Sequence, residues 1–111
     1  MNFNEYQLLT DQTAIYPQGR ENGALYYVTM GLTSEAGEVA GKVKKALRDE
    51  GGLIDEARAE AIAAELGDVL WYCARIATEI GYNLGDVAEG NIQKLQKRKD
   101  SGTLKGDGDQ R

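Results

Sequence analysis

Apolar positions recur every three to four residues along most of this chain, and no stretch alternates with a period of two for long. That pattern predicts helices. A first runs from about Asn4 to Ala14, followed by the loop "YPQGRENG", and a second, long helix covers residues 24–48. "RDEGGLID" breaks it at Gly51 and Gly52, a third helix covers 55–80, "GYN" turns the chain, and a fourth runs from Leu84 to about Lys99. The only proline is Pro17, so nothing after it forbids long helices. The closing "SGTLKGDGDQR" is too rich in glycine and aspartate for a helix. The expectation is an all-α domain over residues 1–111, with 101–111 as a tail.

The two long helices repeat one construction. With Glu35 placed at zero and about 100° per residue, Leu25, Val28, Leu32, Val39, Val43 and Ala46 fall in one apolar stripe. With Glu65 at zero, Ile62, Val69, Cys73, Ile76 and Ile80 occupy the same sector. Glu35 and Glu65 take the edges of their stripes, with Glu38 and Asp68 beyond them. "LTSEAGEVA" (32–40) and "IAAELGDVL" (62–70) match in type at nearly every position. Antiparallel packing of the stripes brings four carboxylates to one rim. Each copy also carries an internal glycine, Gly37 or Gly67, which weakens a helix by about 1 kcal/mol relative to alanine. Each is expected to mark a close backbone approach to another helix.

Composition narrows the chemistry. There is no histidine and one cysteine, Cys73, which excludes a disulfide framework, a serine–histidine triad and the usual zinc sites. A metal here must be held by oxygen, which points to Mg²⁺, with Mn²⁺ as the alternative. A net charge of −5 argues against nucleic-acid binding. No apolar run approaches the ~20 residues needed to span a bilayer, and "MNFNEYQLLT" has no basic segment leading into an apolar one. The expectations are a cytoplasmic protein with neither nucleic-acid nor membrane partners. Few elements at this size leave a small core, which partner subunits are expected to complete.

Carboxylates three apart lie about 5–6 Å from one another on a helix face. Four of them at a core's edge repel and push their pKa values upward, and a divalent cation resolves that conflict. Other residues are candidates by position. Lys42 follows Glu38 at i+4 and shares the carboxylate face, so it is placed either in a salt bridge with Glu38 or on a phosphate. In "NIQKLQKR", Asn91, Lys94 and Arg98 share one face of the fourth helix beside a stripe of Leu84, Ala88, Ile92 and Leu95. Cations so placed suit a polyphosphate, or simply the end of a helix dipole. Tyr72 falls on the carboxylate face, where it can lean on a base. Tyr16, Tyr26 and Tyr27 are candidates for stacking on one, and Trp71 points away from stripe and carboxylates, as for a subunit contact.

The succession E-x-x-E, E-x-x-D and N-x-x-K-x-x-x-R resembles the MazG-like family of all-α nucleoside triphosphate pyrophosphohydrolases. The likeness runs through "GLTSEAGEVAGKVKKALRD", "AAELGDVLWY" and "NIQKLQKRK", and the closing segment looks like the tail of small, often phage-associated members. The resemblance implies a Mg²⁺-dependent hydrolase that splits a nucleoside triphosphate into monophosphate and pyrophosphate. It makes Glu35, Glu38, Glu65 and Asp68 the metal ligands, and Lys94 and Arg98, with Asn91, the phosphate contacts. Glu38 is also assigned as the catalytic base. Some members carry a lysine one turn before the third carboxylate; here that position is Ala61, so Lys42 or Lys45 is left to supply the contact. The resemblance further implies a homodimer or homotetramer whose subunits together form a four-helix-type bundle. Two alternatives stand beside this reading: a relative narrowed to pyrimidine deoxynucleotides, of dUTPase or dCTPase type, and a non-enzymatic helical dimerisation or regulatory module.

Overall fold

The computed structural model describes residues 1–111. It is all-helical: α1 (Phe3–Thr10), a single 3-10 turn over Asp11–Thr13, α2 (Gly23–Glu50), α3 (Glu56–Glu79) and α4 (Leu84–Asp100). The expected helices are all present; the first is shorter than its pattern because its last turn tightens into the 3-10 segment, and the third is one residue shorter at each end because Asp55 and Ile80 are its caps.

Local chemistry sets the ends. Asn2 caps α1, its Oδ1 accepting from the Glu5 N–H at 2.8 Å while its Nδ2 donates to Glu5 Oε1 at 2.7 Å. α2 stops at Gly51, whose φ of 62° lies in the left-handed region, and the Gly52 N–H returns to the Ala46 carbonyl at 3.0 Å. Asp55 caps α3 by accepting from the Arg58 N–H at 2.8 Å. Arg58 also ties the α2–α3 connection, donating to Glu50 Oε1 at 2.6 Å and to the Lys42 carbonyl at 3.1 Å. The start of α4 is capped from α1: Leu84 N–H donates to Gln7 Oε1 at 2.7 Å and Gly85 N–H to Asn4 Oδ1 at 2.9 Å. Gln7 completes that pin with its Nε2 on Thr78 Oγ1 and the Tyr82 carbonyl.

α2 and α3 form a long antiparallel hairpin, the dominant packing in the molecule, while α1 bridges α3 and α4. α2 and α4 do not touch. The result is open: the radius of gyration is 16.9 Å, against about 13 Å for a compact chain of this length. Only 11 of 111 residues are buried, and six of them form two small apolar clusters. Tyr16, Ala24 and Val28 form one, against Ala14, Trp71, Tyr72 and Ile76; Ala74, Ala77 and Leu84 form the other, against Tyr6 and Cys73. The predicted stripes face inward except at Val43 and Ile80, which are about half exposed. No helix is long and apolar enough to cross a membrane.

Two expectations are corrected. Trp71 does not point away from the stripe and the carboxylates: it packs against the cluster containing Val28 and lines a cavity with Glu35 and Asp68, its Nε1 donating to Thr13 Oγ1 at 2.9 Å and its ring lying edge-on to Tyr16 and Tyr72. Helical periodicity omits this because the partners come from the 3-10 turn and the loop after it. Within the chain no neighbour comes near Gly37 or Gly67, where an added Cβ would meet nothing within 4 Å. The close approach is at Gly31, against which the Tyr72 ring lies so tightly that a Cβ would overlap it.

Candidate metal and nucleotide site

Packing of α2 on α3 brings Glu35, Glu65 and Asp68 together, with one carboxylate oxygen from each lying within 4.8 Å of the others. Glu35 and Glu65 are half-buried and Asp68 is exposed. The helices hold these like charges together against their own repulsion. Partial burial first, then the charges of Asp68, Glu65 and Glu38, push the Glu35 carboxyl above the usual glutamate range. One cation reaches the group: Lys42 Nζ lies 3.3 Å from Glu65 Oε1. Lys42 thus pairs across the helices, not with Glu38 along its own, because its length spans the interhelical gap.

Glu38 stands exposed on the same side and outside the three-carboxylate group. The donor set is all oxygen, with no imidazole, and the Cys73 thiol is pushed up by burial and stays protonated. Such a set fits a hard divalent cation, with coordination positions left for water and phosphate.

Beside the acids lies a cavity of about 370 Å³ lined by Thr13, Glu35, Asp68, Trp71 and Tyr72. Its aromatic wall is packed ring against ring. Trp71 and Tyr72 meet edge to face at 5.0 Å, Trp71 meets Tyr16 at 6.1 Å, and Tyr16 stacks on Tyr27 at 5.6 Å. Burial, the Tyr27 hydroxyl and the Glu35 carboxylate raise the Tyr72 phenol, which remains neutral. Of the tyrosines read as base-stacking candidates, Tyr16 and Tyr27 are thus committed to each other, and Tyr26 is exposed elsewhere on α2.

The wall is fixed from below by Arg75, which sequence reasoning passed over. This nearly buried guanidinium donates to Tyr16 Oη and Thr10 Oγ1, each at 3.1 Å, and to Asp11 Oδ1. It also lies 5.7 Å over the Tyr16 ring, and Tyr16 Oη donates to Glu79 Oε2 at 2.9 Å. The available signal was its spacing: Glu65, Asp68, Tyr72, Arg75 and Glu79 share one face of α3.

This geometry, a paired-carboxylate notch between two long helices, accompanies a family likeness. The family model described as "MazG nucleotide pyrophosphohydrolase domain" matches residues 27–103. The chain belongs to the MazG nucleotide pyrophosphohydrolase family. The match takes in α3 and α4 whole and all but the first turn of α2, so the notch lies entirely inside the MazG domain. The chain is also similar to the "Gene 37 protein" of Mycobacterium phage L5, 46% identical over 114 residues with 100% of both chains covered. No solved structure matches.

The MazG domain does not bring all its candidate residues together within one chain. Lys94 and Arg98 lie in the second half of α4, which does not touch α2, and both are engaged by the tail. Lys94 Nζ is 2.9 Å and Arg98 Nη2 3.0 Å from Asp109 Oδ1. Asn91 is exposed on the same helix and makes no hydrogen bond through its side chain.

Proposed function

We propose that residues 1–111 act as one catalytic domain, a divalent-cation-dependent hydrolase of nucleoside triphosphates that releases the monophosphate and pyrophosphate. The observation that carries this reading is the convergence of Glu35, Glu65 and Asp68, from two helices, beside an aromatic-walled cavity. Nothing in the fold compensates the three charges except Lys42.

Glu35, Glu65 and Asp68 would hold Mg²⁺ or Mn²⁺, which when bound supplies Lewis-acid polarisation of phosphate and water. Trp71 and Tyr72, set edge to face, offer apolar walls for the base, and a cation held by Glu35 and Asp68 at the cavity edge would draw the phosphates toward the notch, which the bare carboxylates would repel. Glu38 is the base that takes the water's proton: it faces the same side closely enough to raise Glu35, yet lies outside the liganding group. Lys94 and Arg98, with Asn91, are the counter-charges for the pyrophosphate leaving group. Their distance from the notch is bridged by a second copy, in a homodimer or homotetramer. The exposed Met30, Val43, Leu47, Leu66, Ile92 and Leu95 are the apolar surface such an assembly would cover.

The test is product analysis across a panel of NTPs and dNTPs with Mg²⁺. The reading expects monophosphate and pyrophosphate in equal amounts, lost in Glu38→Gln and Asp68→Asn. Turnover confined to dUTP or dCTP would narrow the activity to the pyrimidine type. No turnover of any triphosphate, with the assembly state unchanged by EDTA, would leave a helical dimerisation module instead.

A further inference from the structure

The tail is not loose. After α4 the Thr103 N–H donates to the Arg98 carbonyl at 2.8 Å, and the chain turns back through Gly106 and Gly108, whose φ values of 135° and 84° admit few residues but glycine. Arg111 closes the loop from within. Its guanidinium donates to the carbonyls of Thr103 at 3.0 Å, Leu104 at 3.0 Å and Gly108 at 2.6 Å. This fork holds Asp109 over α4. The Asp109 carboxylate sits between Lys94 Nζ and Arg98 Nη2, and its carbonyl accepts from Arg98 Nη2 at 2.6 Å. Arg98 is buried, and its Nε has no hydrogen-bond partner, so the tail satisfies this guanidinium incompletely.

We propose that residues 103–111 are a displaceable strap whose Asp109 occupies the anion position between Lys94 and Arg98, and that a polyphosphate must evict it to bind there. The inference rests on the reading of Lys94 and Arg98 as a phosphate-binding pair. Its chemistry is a competition between two anions. One carboxylate oxygen bridges both cations, whereas a polyphosphate offers more oxygens and more charge, with one oxygen available for the orphaned Nε. The strap can yield first at Lys94, where the pair is at least partly open to solvent, while the contact to the buried Arg98 is the one a polyphosphate must replace. A closed strap lowers the apparent affinity for polyphosphate by the fraction of molecules in which it is open.

The probe is inorganic tripolyphosphate in EDTA, with binding measured by calorimetry and tail exposure by amide hydrogen exchange, so neither metal nor turnover enters. Two variants act differently. Asp109→Asn removes the competing carboxylate, and Arg111→Lys keeps every charge but loses the three-carbonyl fork. Both are expected to bind tripolyphosphate tighter than wild type, by roughly three- to tenfold, and the ligand is expected to speed exchange at 103–111 in the wild-type chain. Equal or weaker binding in Arg111→Lys, or slower tail exchange with ligand bound, overturns the strap. A strap that opens in a chain that hydrolyses no triphosphate leaves this inference standing and removes the hydrolase reading. Hydrolysis with an immobile tail does the reverse.

Discussion

The two halves of one face of α3 treat charge in opposite ways. Toward the C-terminus, Arg75 is nearly buried, and Tyr16, Thr10 and Asp11 all accept from it. Two turns earlier, Asp68 and Glu65 are pressed against Glu35 with a single lysine in reach. The same helix carries both, and the same kind of packing builds both, so the difference does not come from the fold class. A satisfied charge is an internal joint: here it ties the 3-10 turn to α3. An unsatisfied cluster held in place by the surrounding helices keeps its repulsion, which the proposed cation would relieve. The α4 cations fall between these cases, since they are paired, but by an exposed aspartate from a glycine-rich tail.

Substitutions at the two ends should therefore separate activity from stability. The largest expected effect is at the carboxylates: Asp68→Asn should cut triphosphate turnover by about a hundredfold or more, while the metal-free melting temperature stays level or rises. A fall in stability matching the loss of activity would erase the distinction between the two ends. At the other end, Arg75→Met should cost about 2–3 kcal/mol in urea denaturation, because it strands Tyr16 and Thr10 and releases the 3-10 turn.

The glycines sharpen the contrast next. Gly31→Ala drives a methyl into the Tyr72 ring and should destabilise by about 1–3 kcal/mol. Gly37→Ala and Gly67→Ala meet open space and should gain up to about 1 kcal/mol from helix propensity. Loss of assembly in either of the latter, seen by light scattering, would place a partner's helix against that glycine.

Titration tests the carboxylate end more gently. Glu35 is raised in the folded protein, so its contribution is fully present below the ordinary glutamate value near 4.5 and is lost as pH rises through the elevated one. In EDTA, the stability of wild type relative to Glu35→Gln should decline from about pH 4.5 upward. A flat difference would mean that the cluster is relaxed. The smallest effect belongs to the tail. Lys94 and Arg98 hold Asp109 below the usual aspartate range, so the strap's ion pairs are present above the ordinary value near 3.8 and are lost as pH falls through the depressed one. Corrected for the intrinsic pH dependence of exchange, amides 103–111 should lose protection only in that acidic window.

Much of this was legible in the sequence. The break at Gly51–Gly52 was read directly, because its chemistry is local, whereas the equally local caps Asn2 and Asp55 were passed over. The repeat around Glu35 and Glu65 needed only helical periodicity to place both on one rim. What was not legible depends on where non-repeating segments return. Trp71 and Arg75 find their partners in residues 10–16, and no helical wheel shows that this stretch folds back onto α3. Lys42 crosses to Glu65 because interhelical distance, absent from sequence, decides between two plausible acids. Asp109 reaches Lys94 and Arg98 through glycine torsions that composition marks only as non-helical.

The most direct test of the central claim is Mn²⁺ binding followed by electron paramagnetic resonance, in wild type and in Glu35→Gln/Asp68→Asn. Saturable, stoichiometric binding is expected in the wild-type chain, displaced by Mg²⁺ and abolished in the double variant. Equal, non-saturating binding in both would contradict it, and the crowded carboxylates would then be no more than an acidic rim.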